Sequence, residues 1–235
     1  MPTVWAIADL HLSFGVPNKK MDIFGPKWVG HAEKIRMNWE ALVQKEDLVL
    51  LPGDISWAMK LEETALDFAW IAALPGTKVM IRGNHDLWWS SVSKVRKVLP
   101  PSIHAIHNDV FHWNEISVGG ARLWDSPEFN FASLGPGDIP LLKADEKIFS
   151  REMARLEMSL KQLDQKAKYR LAMTHYPPVG LDIAPTQASA LLEKYNVDYC
   201  CFGHLHNVKG DLFGGKYLLT ACDYLDFKPR SVVAY

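Results

Sequence analysis

The chain has 235 residues, of which 48% are hydrophobic and 23% are charged, and its formal net charge is −1. This length is enough for one well-buried core, so we expect residues 1–235 to form a single domain. A net charge near zero disfavours a general affinity for nucleic acid, which needs a strongly basic face.

The cysteine content and the apolar runs indicate the cellular location of the protein. The three cysteines, Cys200, Cys201 and Cys222, are too few for a disulfide framework, so we expect reduced thiols in the core. No apolar stretch approaches the ~20 residues that span a bilayer. The first apolar run lacks a preceding basic segment. We therefore expect a cytoplasmic protein without membrane contact.

The first half of the chain alternates apolar runs with helix-compatible segments. Three short runs have the composition of buried strands, at residues 4–8, 48–51 and 78–81. Two helix-compatible segments separate them, at residues 30–45 and 61–74. A third helix is predicted over residues 87–99, where Pro100-Pro101 ends it. The order indicates strand–helix–strand units.

The middle of the chain has a different composition. Residues 116–124 predict two short strands around a turn at Gly119-Gly120. Residues 126–140 are rich in Gly, Pro and aromatic side chains and predict an ordered surface loop, which could act as a lid. Four side chains of this region could contact a substrate, although the aromatic ones could simply pack: Asp125, Phe129, Phe131 and Asp138.

An apolar stripe follows at alternating intervals of four and three residues. Its members are Phe149, Met153, Leu156, Leu160, Leu163 and Ala167. The stripe predicts a long amphipathic helix over residues 149–167, which either lies on a sheet or pairs with a second copy of the chain. Four more strands are predicted, at residues 169–173, 197–202, 216–222 and 230–234.

A polar cluster follows each of five predicted strands at once. The clusters are Asp9-x-His11, Gly53-Asp54, Gly83-Asn84-His85-Asp86, Thr174-His175 and Gly203-His204-x-His206. Strand ends in an open α/β sheet share one crevice, so we expect the five clusters to converge. In the first and last clusters the two ligands are two residues apart, and on an extended segment they point to the same side.

The residue types in these clusters predict metal binding. Carboxylates, imidazoles and one Asn carbonyl, without cysteine, suit Mn best, with Fe or Zn as alternatives. The donors are numerous enough for two divalent ions, and a pair about 3.5 to 4 Å apart would clamp a displacement at phosphorus. Gly53, Gly83 and Gly203 precede the ligands, where a close approach to an ion would exclude a Cβ. The clusters therefore predict a metal-dependent phosphoesterase.

The ordered motifs D-x-H, G-D, G-N-H-[D/E], H and G-H-x-H resemble those of the calcineurin-like metallophosphoesterase superfamily. The resemblance implies an α/β fold of the α+β type, with two mixed β-sheets packed as a sandwich between helices in four layers. It also implies two ligand sets: Asp9, His11, Asp54 and His206 for one ion, and Asp54, Asn84, His175 and His204 for the other. Asp54 would bridge the two ions.

The resemblance also implies catalytic roles for two residues. His85 would stand beside the ions and either protonate the leaving oxygen or stabilise charge on phosphorus. Asp86 would orient His85, and a metal-bridging hydroxide would attack.

The second motif departs from that of the protein Ser/Thr phosphatase branch, which reads G-D-x-V-D-R-G. Here it reads Gly53-Asp54-Ile55-Ser56-Trp57-Ala58, and Asp86 stands where that branch has Glu. The match is better to small bacterial-type phosphohydrolases. Trp57 either lines the pocket or packs beneath the turn, and Trp88 and Trp89 either wall the site or pack into the core.

The sequence therefore predicts a dinuclear hydrolase that cleaves a phosphomonoester or phosphodiester of a phosphorylated small molecule. A nucleotide or cyclic-nucleotide phosphodiesterase is the alternative enzyme. A metal-binding interaction scaffold is the non-enzymatic alternative.

Overall fold

The computed structural model describes residues 2–131 and 145–234, and in these residues ten β-strands form two sheets. The strands are β1 (Thr3–Ala6), β2 (Leu48–Leu51), β3 (Thr77–Met80), β4 (Ile103–Ala105), β5 (Phe111–Trp113), β6 (Ile116–Ala121), β7 (Tyr169–Thr174), β8 (Tyr199–Phe202), β9 (Tyr217–Leu219) and β10 (Arg230–Ala234). The α-helices are α1 (His31–Leu42), α2 (Ala65–Ala73), α3 (Val92–Val98), α4 (Glu146–Leu160) and α5 (Gln187–Lys194). Short 3₁₀ helices cover Met21–Phe24, Pro26–Trp28 and Leu61–Thr64.

Both sheets are mixed. The first has the order β10-β1-β2-β3-β4, in which β10 runs antiparallel to β1 and the other pairs are parallel. The second has the order β5-β6-β7-β8-β9, in which β5 runs antiparallel to β6 and the other pairs are parallel. The five predicted strands that carry polar clusters correspond to β1, β2, β3, β7 and β8.

Alternate residues of each strand point to opposite faces of its sheet. One face of each sheet is apolar, and the two sheets pack together through these faces. The layer between them is apolar and contains, among others, Val4, Ala6, Leu48, Leu50, Val79, Val118, Leu171, Met173 and Cys201. The outer face of the first sheet packs against α1, α2 and α3. The outer face of the second sheet packs against α4 and α5. The predicted four-layer arrangement is confirmed.

The predicted turn at Gly119-Gly120 is wrong, since both glycines lie inside the continuous strand β6. They allow close packing instead. A Cβ at Gly119 would lie 3.0 Å from Ser159 Oγ on α4, and a Cβ at Gly120 would lie 2.1 Å from the Met173 carbonyl oxygen on β7. A Gly-Gly pair therefore marks a crowded sheet position here.

The predicted helix over residues 87–99 begins five residues late. The Ser91 side chain accepts from the Lys94 N–H and caps α3, which starts at Val92. Trp88 and Trp89 precede the helix, and both are buried in the core of the first sheet. The turn that buries these two indoles displaces the first turn of the predicted helix.

The apolar stripe of the predicted helix 149–167 lies against the second sheet. Phe149, Met153, Leu156 and Leu160 are all buried there. The helix α4 ends at Leu160, so Ala167 lies beyond it. The chain itself covers this stripe, which favours packing on the sheet over pairing with a second copy.

The three cysteines are free and buried, as predicted. In the part of the chain that the structure describes, no helix combines the length and apolar character needed to cross a membrane.

Lys78 lies fully buried in β3, where its ammonium donates to the Leu74 carbonyl. Burial lowers its pKa from 10.5 to about 8. Because the folded pKa lies below the unfolded one, the charged side chain opposes folding at pH 7, and this cost disappears as pH rises from about 8 past 10.5.

We expect Lys78→Met to raise the free energy of unfolding by about 1 to 3 kcal/mol at pH 7, and by much less at pH 10.5. Urea denaturation at both pH values measures this difference. Lys97→Met, on the exposed side of α3, is the matched control. A Lys78→Met variant no more stable than wild type at pH 7 would refute the argument.

Candidate metal centre

The structure brings all seven predicted metal ligands together at the carboxyl ends of β1, β2, β3, β7 and β8. His11 Nε2 lies 3.3 Å from His206 Nε2 and 3.7 Å from Asp54 Oδ2. Asn84 Oδ1 lies 3.1 Å from His204 Nδ1. The first sheet contributes four ligands, Asp9, His11, Asp54 and Asn84, and the second contributes His175, His204 and His206.

The backbone turns sharply at several ligands. Four of them have φ in the left-handed region: Asp9 (58°), His11 (45°), Asp54 (55°) and His204 (71°). This conformation costs roughly 1 to 2 kcal/mol for a non-glycine residue and persists where surrounding contacts fix it. These turns redirect the side chains from the strand directions into one common space.

Two of the motif glycines make room for ligand carboxylates. A Cβ at Gly83 would lie 2.0 Å from Asp54 Oδ1. A Cβ at Gly203 would lie 2.3 Å from Asp9 Oδ2. The crowding predicted at these glycines is present, but the neighbouring atoms belong to ligand side chains.

Hydrogen bonds on the outer side of the imidazoles leave lone pairs that face inward. His175 Nδ1 donates to the Pro52 carbonyl at 3.0 Å, which leaves a lone pair on Nε2. That nitrogen lies 2.6 Å from Asn84 Oδ1 and 3.4 Å from Asp54 Oδ2. Three acceptors that face one another are satisfied by a shared cation. The donor set therefore fits a divalent metal ion.

Asp54 occupies the position between the two predicted ligand sets. Its Oδ2 lies 3.7 Å from His11 Nε2 on one side and 3.4 Å from His175 Nε2 on the other. Asp9 also approaches both sets, but its 4.0 Å contact with His175 runs to Nδ1, which Pro52 already occupies. Asp54 therefore lies within reach of both predicted ligand sets, and Asp9 belongs to both groups of side chains that could hold an ion.

Burial controls the protonation of these ligands. It raises the pKa of the Asp9 and Asp54 carboxyls. It lowers the pKa of His11 and His204, and lowers that of His175 to about 3. Neutral imidazoles are the form that binds metal, and a divalent cation would counteract the carboxylate shifts.

Asp86 is placed differently from its predicted role. Its buried carboxylate accepts hydrogen bonds from five donors: the backbone N–H groups of Asp54, Ile55, Ser56 and Gly83, and Trp88 Nε1. Within the described residues none of its hydrogen bonds reaches the His85 ring. Asp86 therefore positions the Asp54 loop. Burial and the nearby Asp54 charge raise its pKa to about 7.

One functional residue, Asp223, escaped the sequence analysis. Its Oδ1 accepts from His206 Nδ1 at 2.8 Å, which turns His206 Nε2 toward the other ligands. Burial lowers the His206 pKa, but the Asp223 hydrogen bond and the nearby carboxylates outweigh it and raise the pKa to about 9. Asp223 directly follows the predicted strand 216–222, so the strand-end rule that identified the other clusters also reaches it.

A cavity of about 390 Å³ opens onto His85 and five of the predicted ligands, which are His11, Asp54, Asn84, His204 and His206. Its other walls are largely aromatic and apolar, formed by Met21, Phe24, Trp28, Trp57 and Tyr176. Trp57 therefore lines the pocket, as one of its two interpretations predicted, and its ring stacks on that of His11 with centroids 4.9 Å apart.

The side chains predicted to contact a substrate lie in different places. Asp125 lines the cavity, whereas Phe129 and Phe131 pack with the core between the second sheet and its helices. Asp138 and residues 132–140 of the predicted loop lie outside the described residues.

The sequence profile of the calcineurin-like phosphoesterases matches residues 2–208. The chain belongs to this family. The Asp/His clusters correspond to the divalent-metal dependence of the family.

Two solved structures that are similar to this phosphoesterase have low sequence identity to it. Phosphopantetheinyl hydrolase (PptH) from Mycobacterium tuberculosis superposes over 100% of this chain and 96% of its own, with a TM-score of 0.58 and 15% identity. Protein AQ665 from Aquifex aeolicus superposes over 98% and 96%, with a TM-score of 0.52 and 17% identity. These likenesses establish the fold. The gene 66 protein of Mycobacterium phage D29 is 36% identical over 87 residues, which span 37% of this chain and 41% of the phage protein.

We expect Asp223→Ala to lower the affinity of the phosphoesterase for Mn²⁺ by about 10- to 100-fold, because His206 loses the partner that orients it. Isothermal titration of the metal-free protein measures this change. Asp211→Ala, an exposed aspartate that accepts from Tyr224, is the control and should bind as wild type does. Wild-type affinity in Asp223→Ala would exclude the orienting role.

Proposed function

We propose that the chain is a dinuclear phosphohydrolase that cleaves a phosphomonoester or phosphodiester of a small molecule, with Mn²⁺ as the favoured metal. The observation that carries this proposal is the position of Asp54 Oδ2, within 3.7 Å of His11 Nε2 and 3.4 Å of His175 Nε2. The ligand set consists of oxygens and imidazoles and contains no cysteine, which supports Mn²⁺ over a metal that prefers thiolate ligands. Three free, buried cysteines support a reducing, cytoplasmic location.

Two divalent ions, when bound, would acidify a water and neutralise charge on the phosphoryl group. Asp9, His11 and His206 would hold one ion, Asn84, His175 and His204 the other, with Asp54 shared. Asp86 keeps the Asp54 loop in place through its backbone hydrogen bonds.

His85 is the residue proposed to move a proton. Its backbone N–H donates to Asp54 Oδ1 at 2.9 Å, which fixes it beside the shared carboxylate. Its ring lines the cavity and lies 4.5 Å from the Trp57 ring, centroid to centroid. From this position the imidazole can protonate a leaving oxygen or stabilise charge on phosphorus.

The activity test uses purified, Mn-loaded protein with p-nitrophenyl phosphate and bis(p-nitrophenyl) phosphate. We expect hydrolysis of at least one ester, stimulated by Mn²⁺ and lost in Asp54→Asn, which keeps the shape of the side chain but removes its charge. A metal content near two ions per chain supports the dinuclear assignment. No turnover above the metal blank would favour the interaction-scaffold alternative.

A nucleotide or cyclic-nucleotide phosphodiesterase is the second candidate, because the aromatic walls of the cavity could stack on a base. Adenosine 3′,5′-cyclic monophosphate and a phosphopantetheinyl ester, the type of substrate that the name of PptH indicates, join the panel. A cyclic nucleotide turned over much faster than every other ester would favour this candidate.

We expect His85→Ala to lower kcat by about 10²- to 10⁴-fold while both metal ions stay bound, because a positioned acid is lost and no ligand is removed. Rates and metal content are measured on the same preparation. His112→Ala removes an exposed imidazole on β5 and should leave both unchanged. A metal content well below that of wild type in His85→Ala would contradict a purely catalytic role.

A further inference from the structure

The cavity is larger than the reacting group requires. Its volume of about 390 Å³ falls within the range of small-molecule pockets, about 300 to 1,000 Å³, whereas a phosphoryl group occupies only a small part of that space. The remaining space must receive the group that the phosphoryl is attached to. The chemistry of the walls therefore reports on the substrate.

Most of the wall away from the ligands is apolar and held by side-chain contacts, and its polar members are Asp125 and Asn207. Trp57 Nε1 lies 2.9 Å from Met21 Sδ, and the Phe24 ring lies parallel to the Trp57 ring within 6°, with centroids 6.3 Å apart. Trp28 packs edge-on against His206, at a centroid distance of 5.5 Å. Phe24 is 45% exposed although it is aromatic, and it stands at this wall. A ligand ring placed there would remove the Phe24 face from water.

Positive charge is missing from the same walls. Within residues 2–131 and 145–234, no lysine or arginine lines the cavity, and Asp125 adds a carboxyl to its lining. The nearby basic groups are engaged elsewhere. Lys19 donates to the Trp57 carbonyl, and Arg122 pairs with Glu152 and lies over the Trp124 ring. A second phosphate or a carboxylate on the substrate would find no cation in this wall.

We propose that the substrate carries a single phosphoryl group on an apolar, ring-bearing leaving group, and that Phe24 is a specificity-determining residue for that group. This inference rests on the proposed phosphohydrolase function. The ligand side chains, with ions bound, would hold the phosphoryl end, and the Met21, Phe24 and Trp57 wall holds the ring. Nucleoside triphosphates and sugar phosphates are disfavoured substrates, because their charged or hydroxylated groups would lose water against an apolar surface.

The test compares 2-phenylethyl phosphate with glycerol 2-phosphate on the Mn-loaded protein. Both release an aliphatic alcohol, so a difference in kcat/KM reports binding of the released group more than its acidity. If the protein hydrolyses only diesters, the methyl diesters of the same alcohols replace them. We expect a preference of at least about tenfold for the phenylethyl ester, and still weaker turnover of adenosine triphosphate.

Phe24→Ser should raise KM for the phenylethyl ester, with little change in kcat, and bring the ratio of the two kcat/KM values toward one. Phe24→Leu should restore most of the preference, because it restores apolar area. Ile23→Ser is the matched control: the neighbouring side chain is 79% exposed, lies outside the cavity lining and should keep the wild-type ratio.

Equal or inverted kcat/KM values in the wild-type protein would overturn the inference while leaving the phosphohydrolase function intact. A wild-type ratio retained in Phe24→Ser would also overturn it. Absence of hydrolysis of every ester by Mn-loaded wild type would instead overturn the proposed function.

Discussion

The whole site depends on the burial of two carboxylates, Asp9 and Asp54, among the imidazoles at the strand ends. Both side chains are almost entirely removed from water, and burial favours their neutral forms. Burial lowers the pKa of three imidazoles around them, His11, His175 and His204, and His175 directs its lone pair inward. Such an arrangement is electrostatically costly by itself and becomes favourable with divalent cations among the ligands.

The fold supports this arrangement through rigid strand ends. Left-handed backbone at Asp9 and Asp54 is tolerated because both turns are tied into the sheets: the Asp9 N–H donates to Gly53, and the Asp54 N–H donates to Asp86. Asp86 makes no hydrogen bond to the His85 ring among the described residues, and it instead controls where the Asp54 loop lies. A sequence motif of an active site can thus contain a residue that only positions a neighbouring loop.

The sequence was informative where a pattern is local and less so where neighbours are distant. Strand composition followed by a polar cluster located all seven side chains that the structure brings together, because a strand end fixes the direction of its loop. The turn predicted at Gly119-Gly120 was wrong, because the glycines are required by close packing against α4 and β7, which are distant in sequence. The short elements β4, β5 and α5 carried too little pattern to be assigned. The cavity wall formed by Met21, Phe24 and Trp28 belongs to no motif, and only folding places it opposite the ligands.

The division of the ligands between two sheets has a consequence for the stability of the folded protein. Asp54 and Asn84 extend from one sheet, and His175 and His204 extend from the other, so a cation held among them acts as a cross-link through the centre of the sandwich. Anything that binds only the folded form shifts the folding equilibrium toward it. Metal scarcity in the cell would then loosen the sandwich as well as silence the enzyme, and would expose idle copies to proteolysis.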